Sequence, residues 1–178
     1  MAKNREEELR QLWHEELFAP DIFPGFPFRP ADWHAIAFNR DVHGNSRIAL
    51  GDWEALLEVL RRRTTDKVAL LLTPFPELQG RDPVQPIVLP LEGDAVVSQF
   101  LEGPYFPEFF LAGESRTWAI RGDSDFTIIG GQKSLMSDLI DKLGGMARVS
   151  ERMQREFDVG EGQEDSSMRS YLQMLLAG

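Results

Sequence analysis

The residues able to move a proton or hold a metal are few in this 178-residue chain, which has three histidines and no cysteine. Thiolate nucleophiles, thiolate metal sites and disulfides are therefore excluded. The densest chemical string is Asp41-Val-His43-Gly-Asn45. A carboxylate and an imidazole two residues apart, just beyond a strand, could share a divalent ion, with His34 as a further donor. The bland alternative is a polar turn in which Asp41 and Asn45 bond to local backbone. His14-Glu15-Glu16 lacks the second histidine of a zinc-binding helix, and no serine stands in a Gly-x-Ser-x-Gly elbow.

The Asp-x-His-Gly string resembles the metal-binding motif of the calcineurin-like metallophosphoesterases, and a Gly-Asp pair follows at Gly51-Asp52. That resemblance implies a metal-dependent hydrolase using Asp41 and His43, with His34 in support. The family's later Gly-Asn-His motif and its further metal histidines are missing. Gly130-Gly-Gln-Lys133-Ser134 is superficially similar to the end of a nucleotide-binding phosphate loop. Gln132 and Thr127 stand where that loop needs glycine, so the backbone cradle is absent.

The elements that must position these groups follow from spacing. Leu9, Leu12, Trp13 and Leu17 predict a helix over 3–17. The Pro- and Phe-rich stretch 18–30 is a loop that its aromatic side chains must pin, to the core by preference over a partner. A strand is expected at 34–38, a turn at 39–46 and a return strand at 47–50. Asp52 reads as an N-cap of a helix carrying Trp53, Leu56, Leu57 and Leu60, closed by Arg61–Arg63. Val68–Thr73 reads as a central strand buried on both faces, 74–86 as loop, 87–91 as a strand and 95–101 as a short helix.

From Glu108 to Gly131, alternating apolar runs broken by Gly113-Glu-Ser115 and Gly122-Asp-Ser124 predict a three-strand antiparallel meander. Gly130-Gly131 is expected to break the sheet. A helix follows, with Ser134 as cap and Leu135, Met136, Leu139, Ile140 and Leu143 as its apolar stripe. Val149, Met153 and Phe157 recur at helical spacing. The expected fold class is α+β, a mostly antiparallel sheet of about five or six strands with the meander (108–131) at one side and helices packed on it. Residues 1–158 form the domain; 159–178 form a flexible linker and a C-terminal amphipathic helix. That helix, with Met168, Tyr171, Leu172, Leu175 and Leu176 on one face, either folds back or makes a homodimer.

The chain is acidic, with 29 Asp plus Glu against 19 Lys plus Arg. That excludes a general nucleic-acid binder and docking on anionic membrane. No signal peptide or membrane-length apolar run is seen, so a cytoplasmic protein is expected. Residues 68–128 hold 3 basic and 9 acidic residues, so the acidity gathers around the meander. Glu108, Glu114, Asp123 and Asp125, with Trp118, are the candidate contacts for a basic partner.

Trp118-Ala-Ile-Arg-Gly-Asp-Ser-Asp125-Phe-Thr-Ile-Ile-Gly130-Gly, followed by an amphipathic helix, looks like small bacterial immunity proteins of polymorphic toxin systems. The resemblance covers roughly 108–145. It implies a non-catalytic, cytoplasmic, stoichiometric inhibitor that binds a protein partner, a basic toxin domain, and needs no cofactor. It carries over no contact residue.

Overall fold

The computed structural model describes residues 15–42, 48–72, 87–92, 108–158 and 166–178. Six strands, β1 (Trp33–Asn39), β2 (Val68–Leu72), β3 (Ile87–Pro90), β4 (Phe109–Gly113), β5 (Trp118–Gly122) and β6 (Phe126–Gln132), form one sheet in the order β1-β6-β5-β4-β2-β3. Every neighbouring pair is antiparallel. The helices are α1 (Leu50–Arg63), α2 (Lys133–Lys142), α3 (Met146–Glu156) and α4 (Ser166–Ala177). The fold is thus α+β. Glu15–Leu17 are helical, and the rest of the expected first helix lies outside the described residues, as do the expected 95–101 helix and the whole of the 74–86 loop.

Three expectations about the sheet need correction. β4, β5 and β6 pair in chain order, but they occupy the middle of the sheet rather than one side. Val68–Leu72 is the penultimate strand; Ala69 and Leu71 are buried while Val68 and Leu70 are only half-buried. Gly130 and Gly131 do not break the sheet, because both sit inside β6, opposite Ala35 and His34 of β1. They are glycines for lack of room. A Cβ on Gly130 would enter the Phe28 ring, and one on Gly131 would lie 2.9 Å from the Thr117 carbonyl.

Helix starts also differ from expectation. Leu50 opens α1 after Ala49, so 47–50 holds no return strand over its described residues. Asp52 lies inside the helix and is not its cap, because its carboxylate is bound elsewhere. Ser134 does not cap α2; strand runs straight into helix at Gln132, with no side-chain cap bond.

Alternate strand positions point to opposite faces. One face, with Phe38, Ile120 and Leu111, takes α1, α2 and α3. The other, with Phe110, Arg121, Phe126 and Gly130, takes residues 17–30 and α4. The Pro-rich loop is pinned to the core: Phe18 and Phe28 are buried, and Phe18 packs edge-on to Phe110 with centroids 4.7 Å apart. α4 folds back. Tyr171, Leu172 and Leu175 are buried in this chain, and the Leu176 carbonyl meets His34 Nδ1 at 2.8 Å. The apolar face that a homodimer through this helix would need is already covered.

Arg152 ties the helix layer to the sheet. Its guanidinium donates to both oxygens of Asp52 at 2.6 Å and to Glu156 at 2.7 Å, and stands 4.7 Å over the Phe38 ring. Glu156 in turn accepts from the Asn39 backbone N–H at 3.2 Å, at the end of β1. One cation thereby joins α1, α3 and the edge strand. Both acids are at least nine-tenths buried as side chains. Removing the cation leaves two carboxylates in low dielectric.

Arg152→Met is therefore expected to destabilise the fold by about 3 kcal/mol in urea denaturation, whereas Arg152→Met with Asp52→Asn and Glu156→Gln recovers most of that loss. Gly130→Ala should cost roughly 1–3 kcal/mol by overpacking against Phe28. In a Phe28→Ala background the same change should cost under about 0.5 kcal/mol, the coupling that a double-mutant cycle isolates.

Candidate functional site

Strand register decides which candidate residues can act together. Phe109 pairs with Gly122, and Phe126 with Asn39, so the start of β4, the β5–β6 turn and the end of β1 share one end of the sheet. Glu108, Asp123 and Asp125 lie there. Glu114 lies in the β4–β5 turn at the other end, beside the pairing of Gly113 with Ala69. Five strand residues separate the two ends, roughly 17 Å. The screening length at physiological salt is ~8 Å, so Glu114 cannot belong to the same electrostatic patch. Trp118 is wholly buried and donates its indole N–H to Asp66 at 2.8 Å. It has no surface for a partner, and its role is to hold the start of β2 to the β4–β5 turn. The same Asp66 accepts from the Ser115 backbone and hydroxyl at 2.7 and 2.8 Å.

The acidic end gains residues that local sequence reading left out. Arg40 donates its backbone N–H to the Asp125 carbonyl at 3.0 Å, which brings exposed Asp41 beside exposed Asp125. Phe157 stacks on Phe126 with centroids 5.0 Å apart, which brings exposed Asp158 to the same place. Exposed Asp21 lies between Pro20 and Ile22, whose carbonyls are held by Arg121 and Tyr171. Half-exposed Phe23 leans on Tyr171. The rim thus carries Asp21, Asp41, Asp125 and Asp158, with Glu108 and Asp123 set back.

Behind the rim are two buried arginines. Arg40 donates to the Asp123 carbonyl and stands 5.9 Å over the Phe109 ring. Arg121 donates to the Ala19 and Pro20 carbonyls at 2.6 and 2.9 Å, with Glu108 3.6 Å away. The Asp123 carboxylate is spent locally, accepting from the backbone N–H groups of Asp125 and Phe126 at 2.8 Å. It shapes the turn more than it faces outward. A charge inside the apolar run Trp118–Gly122 was the one sequence signal that Arg121 needed carbonyl and carboxylate partners nearby.

Burial outweighs pairing here. Desolvation pushes the Glu108 carboxyl above its usual range, nearby Asp123 adds to the rise, and Arg121 opposes it. Desolvation likewise lowers Arg121, against Glu108 and Asp123. The Tyr171 phenol is pushed up by burial, then by Asp123, with Arg121 opposing.

The metal hypothesis loses its combined donor set. His34 stands near the start of β1, turned to the Leu176 carbonyl, while Asp41 follows its end. Five strand steps from residue 34 to 39 span about 16 Å, far beyond one ion's reach. Asp52 is held by Arg152. His43 lies outside the described residues, and among these no three His, Asp or Glu side chains cluster as metal ligands. No described helix is long and apolar enough to cross a membrane. Comparison of the chain with protein-family models, curated proteins and solved structures gives no match.

The direction of the Glu108 shift sets a pH dependence. A carboxyl raised in the fold binds its proton more tightly there than in the unfolded chain. Its ionisation therefore costs stability as pH rises from the unfolded value through the folded one. Glu108→Gln, which stays neutral, should match the wild type near pH 4 and exceed it at pH 7 by under about 1 kcal/mol. Urea midpoints at the two pH values test the sign.

Proposed function

We propose that this protein is a non-catalytic binding module that takes a basic protein partner on the acidic end of its sheet. It would act in the cytoplasm as a stoichiometric blocker, in the manner that its likeness to immunity proteins of polymorphic toxin systems implies. The observation that carries this reading is the gathering of exposed Asp21, Asp41, Asp125 and Asp158 around one sheet end, from four separate parts of the chain. Carboxylates that converge in space raise the encounter rate with a cationic surface and set its orientation.

The rim has a rigid support, which favours recognition over mere solvation. Arg40 and Arg121 fix the backbone beneath it, and Phe23 offers an apolar contact between the charges. An aromatic anchor inside a polar rim is the usual anatomy of a protein interface. Glu114 drops out of the proposed contact set because of its distance, and Trp118 because of its burial. A hydrolase reading has no comparable support once His34 and Asp41 stand at opposite strand ends.

Binding of fluorescent decalysine, followed by anisotropy at 50 and 200 mM salt, probes the surface directly. Asp41→Asn with Asp125→Asn and Asp158→Asn should weaken it about tenfold, since three exposed pairs at roughly 0.5 kcal/mol each approach 1.4 kcal/mol. The triple variant should also flatten the salt dependence, while Glu114→Gln stays within about twofold. Equal losses from Glu114→Gln and from the triple variant would mean that net charge alone matters and would remove the site. A basic protein encoded beside this chain should form a one-to-one complex with the same ranking of variants.

A further inference from the structure

A second charged surface has the opposite sign. Between the end of α2 and the outer face of α3 lies an open cleft of about 910 Å³. Lys142, Arg148, Arg152 and Arg155 line it, against Asp52 and Glu151. Counted with Glu58 and Glu156, which pair Lys142 and Arg152, the acids balance the cations, so any positive character is confined to the arginines left over. It is a different place from the acidic rim and rests on different residues.

Two of the four cations are already matched. Arg152 is held by Asp52 and Glu156, and Lys142 meets Glu58 at 2.5 Å. Arg148 and Arg155 form no ion pair with any described residue, and both are exposed. Glu151, one turn from each, is exposed and does not bridge to them within 4 Å. Arg148 is also placed with some precision. Its stem lies against Gly144, so close that a Cβ there would come within 2.6 Å of its Cδ. Gly144 has φ +105°, a conformation that suits glycine and leaves the stem its path. Arg148 stands, moreover, in the first turn of α3, which contains no acidic residue. A cation there opposes the helix dipole, so local stability does not explain it.

We propose that this cleft binds a small ligand carrying several negative charges on phosphoryl or carboxylate oxygens, with Arg148 and Arg155 as its principal contacts. Their guanidinium forks match the paired oxygens of such groups, which a lysine ammonium does not. The volume suits a small molecule, and the wall is charged where pockets for apolar ligands are mainly hydrocarbon. Arg152 is spent on Asp52 and Glu156 and adds no net positive charge, so the attraction rests on Arg148 and Arg155. The acidic rim does not cancel the attraction at Arg148, which stands in the first turn of α3, ten residues and roughly 15 Å of helix before Asp158, about twice the screening length at physiological salt. Arg155, whose carbonyl accepts from the Asp158 backbone N–H at 3.2 Å, adjoins the rim.

The probes are tripolyphosphate and citrate, titrated into the full chain by calorimetry at constant ionic strength. At least one should bind at a single site. Arg148→Ala with Arg155→Ala, both exposed positions, should weaken that binding at least tenfold without moving the thermal midpoint of the free protein. Arg148→Lys, which keeps the charge and loses the fork, should fall between. Preference for tripolyphosphate assigns a phosphorylated ligand, and preference for citrate assigns a polycarboxylate. Absence of binding by both probes, or equal binding by the double variant, would overturn the proposal. Asp41→Asn with Asp125→Asn, which leaves Asp158 beside Arg155 unchanged, should leave this binding within twofold, which keeps it separate from the rim.

Discussion

A guanidinium withdrawn from most of its water must be matched donor by donor, and Arg152 imposes that condition on three elements at once. Its five N–H groups are a rigid fork. Asp52 occupies one side of the fork and Glu156 the remaining edge, and the ring of Phe38 closes one face. Satisfying all of these fixes α1 against α3 and α3 against the end of β1. Because β1 is an edge strand, the same contact helps to cover a sheet edge that would otherwise offer bare backbone to another chain. Asn39 extends the network by donating its side-chain amide to the Glu156 carbonyl at 2.9 Å. An apolar replacement of the whole set could pack as well, but it would lack this directional registration.

The same device recurs around the sheet. Arg40 over Phe109, Arg121 over Phe110 and Arg152 over Phe38 each place a cation against a ring while at least one N–H group of each meets a carbonyl or carboxylate oxygen. The rings need space, and the central strands supply it with small residues. Gly122 leaves room for the Phe109 ring, as Gly130 does for Phe28. Helices and aromatic loop can then approach a sheet whose middle strands are buried on both faces. Glycine inside these strands weakens them locally, and the large rings packed over them more than offset that loss.

What could be read from sequence was whatever depends on neighbours in the chain. Alternation from Phe109 to Ile128, the two Gly-containing turns, the α1 and α2 stripes and the folding back of Tyr171 and Leu175 all express local period or simple apolarity. The misreadings at Asp52, Gly130-Gly131 and Trp118 share one cause, a partner far away in sequence. Asp52 has the right residue type for a cap, yet Arg152, 100 residues on, claims its carboxylate. Gly130-Gly131 looks like a break until Phe28 and Thr117 are seen to fill the place of their side chains. Trp118 looks like a contact residue until Asp66 is found at its indole N–H. The acidic rim was half legible. Asp123, Asp125 and Glu108 lay in one charged stretch, but Asp21, Asp41 and Asp158 join them only through strand register and aromatic stacking.

These long-range contacts also explain how one acidic chain can carry surfaces of both signs. A uniform −10 would repel an anion from every side if the molecule were small compared with the screening length, but it is not. α3 is the divider. Its outer face holds Arg148 and Arg155 toward the cleft, and the turn after its last residue carries Asp158 toward the rim. Its inner face, Val149, Met153 and Glu156, is buried. The helix can present such unlike ends because Arg152 anchors it by pairing that makes no use of the outer charges. Exposed substitutions at 148, 155 or 158 leave the anchor intact, so the charge of either surface can vary while the fold stays constant. Binding on one surface can reach the other directly through the turn that joins Arg155 to Asp158, whereas a shift of α3 itself would have to break the Asp52–Arg152–Glu156 pairing.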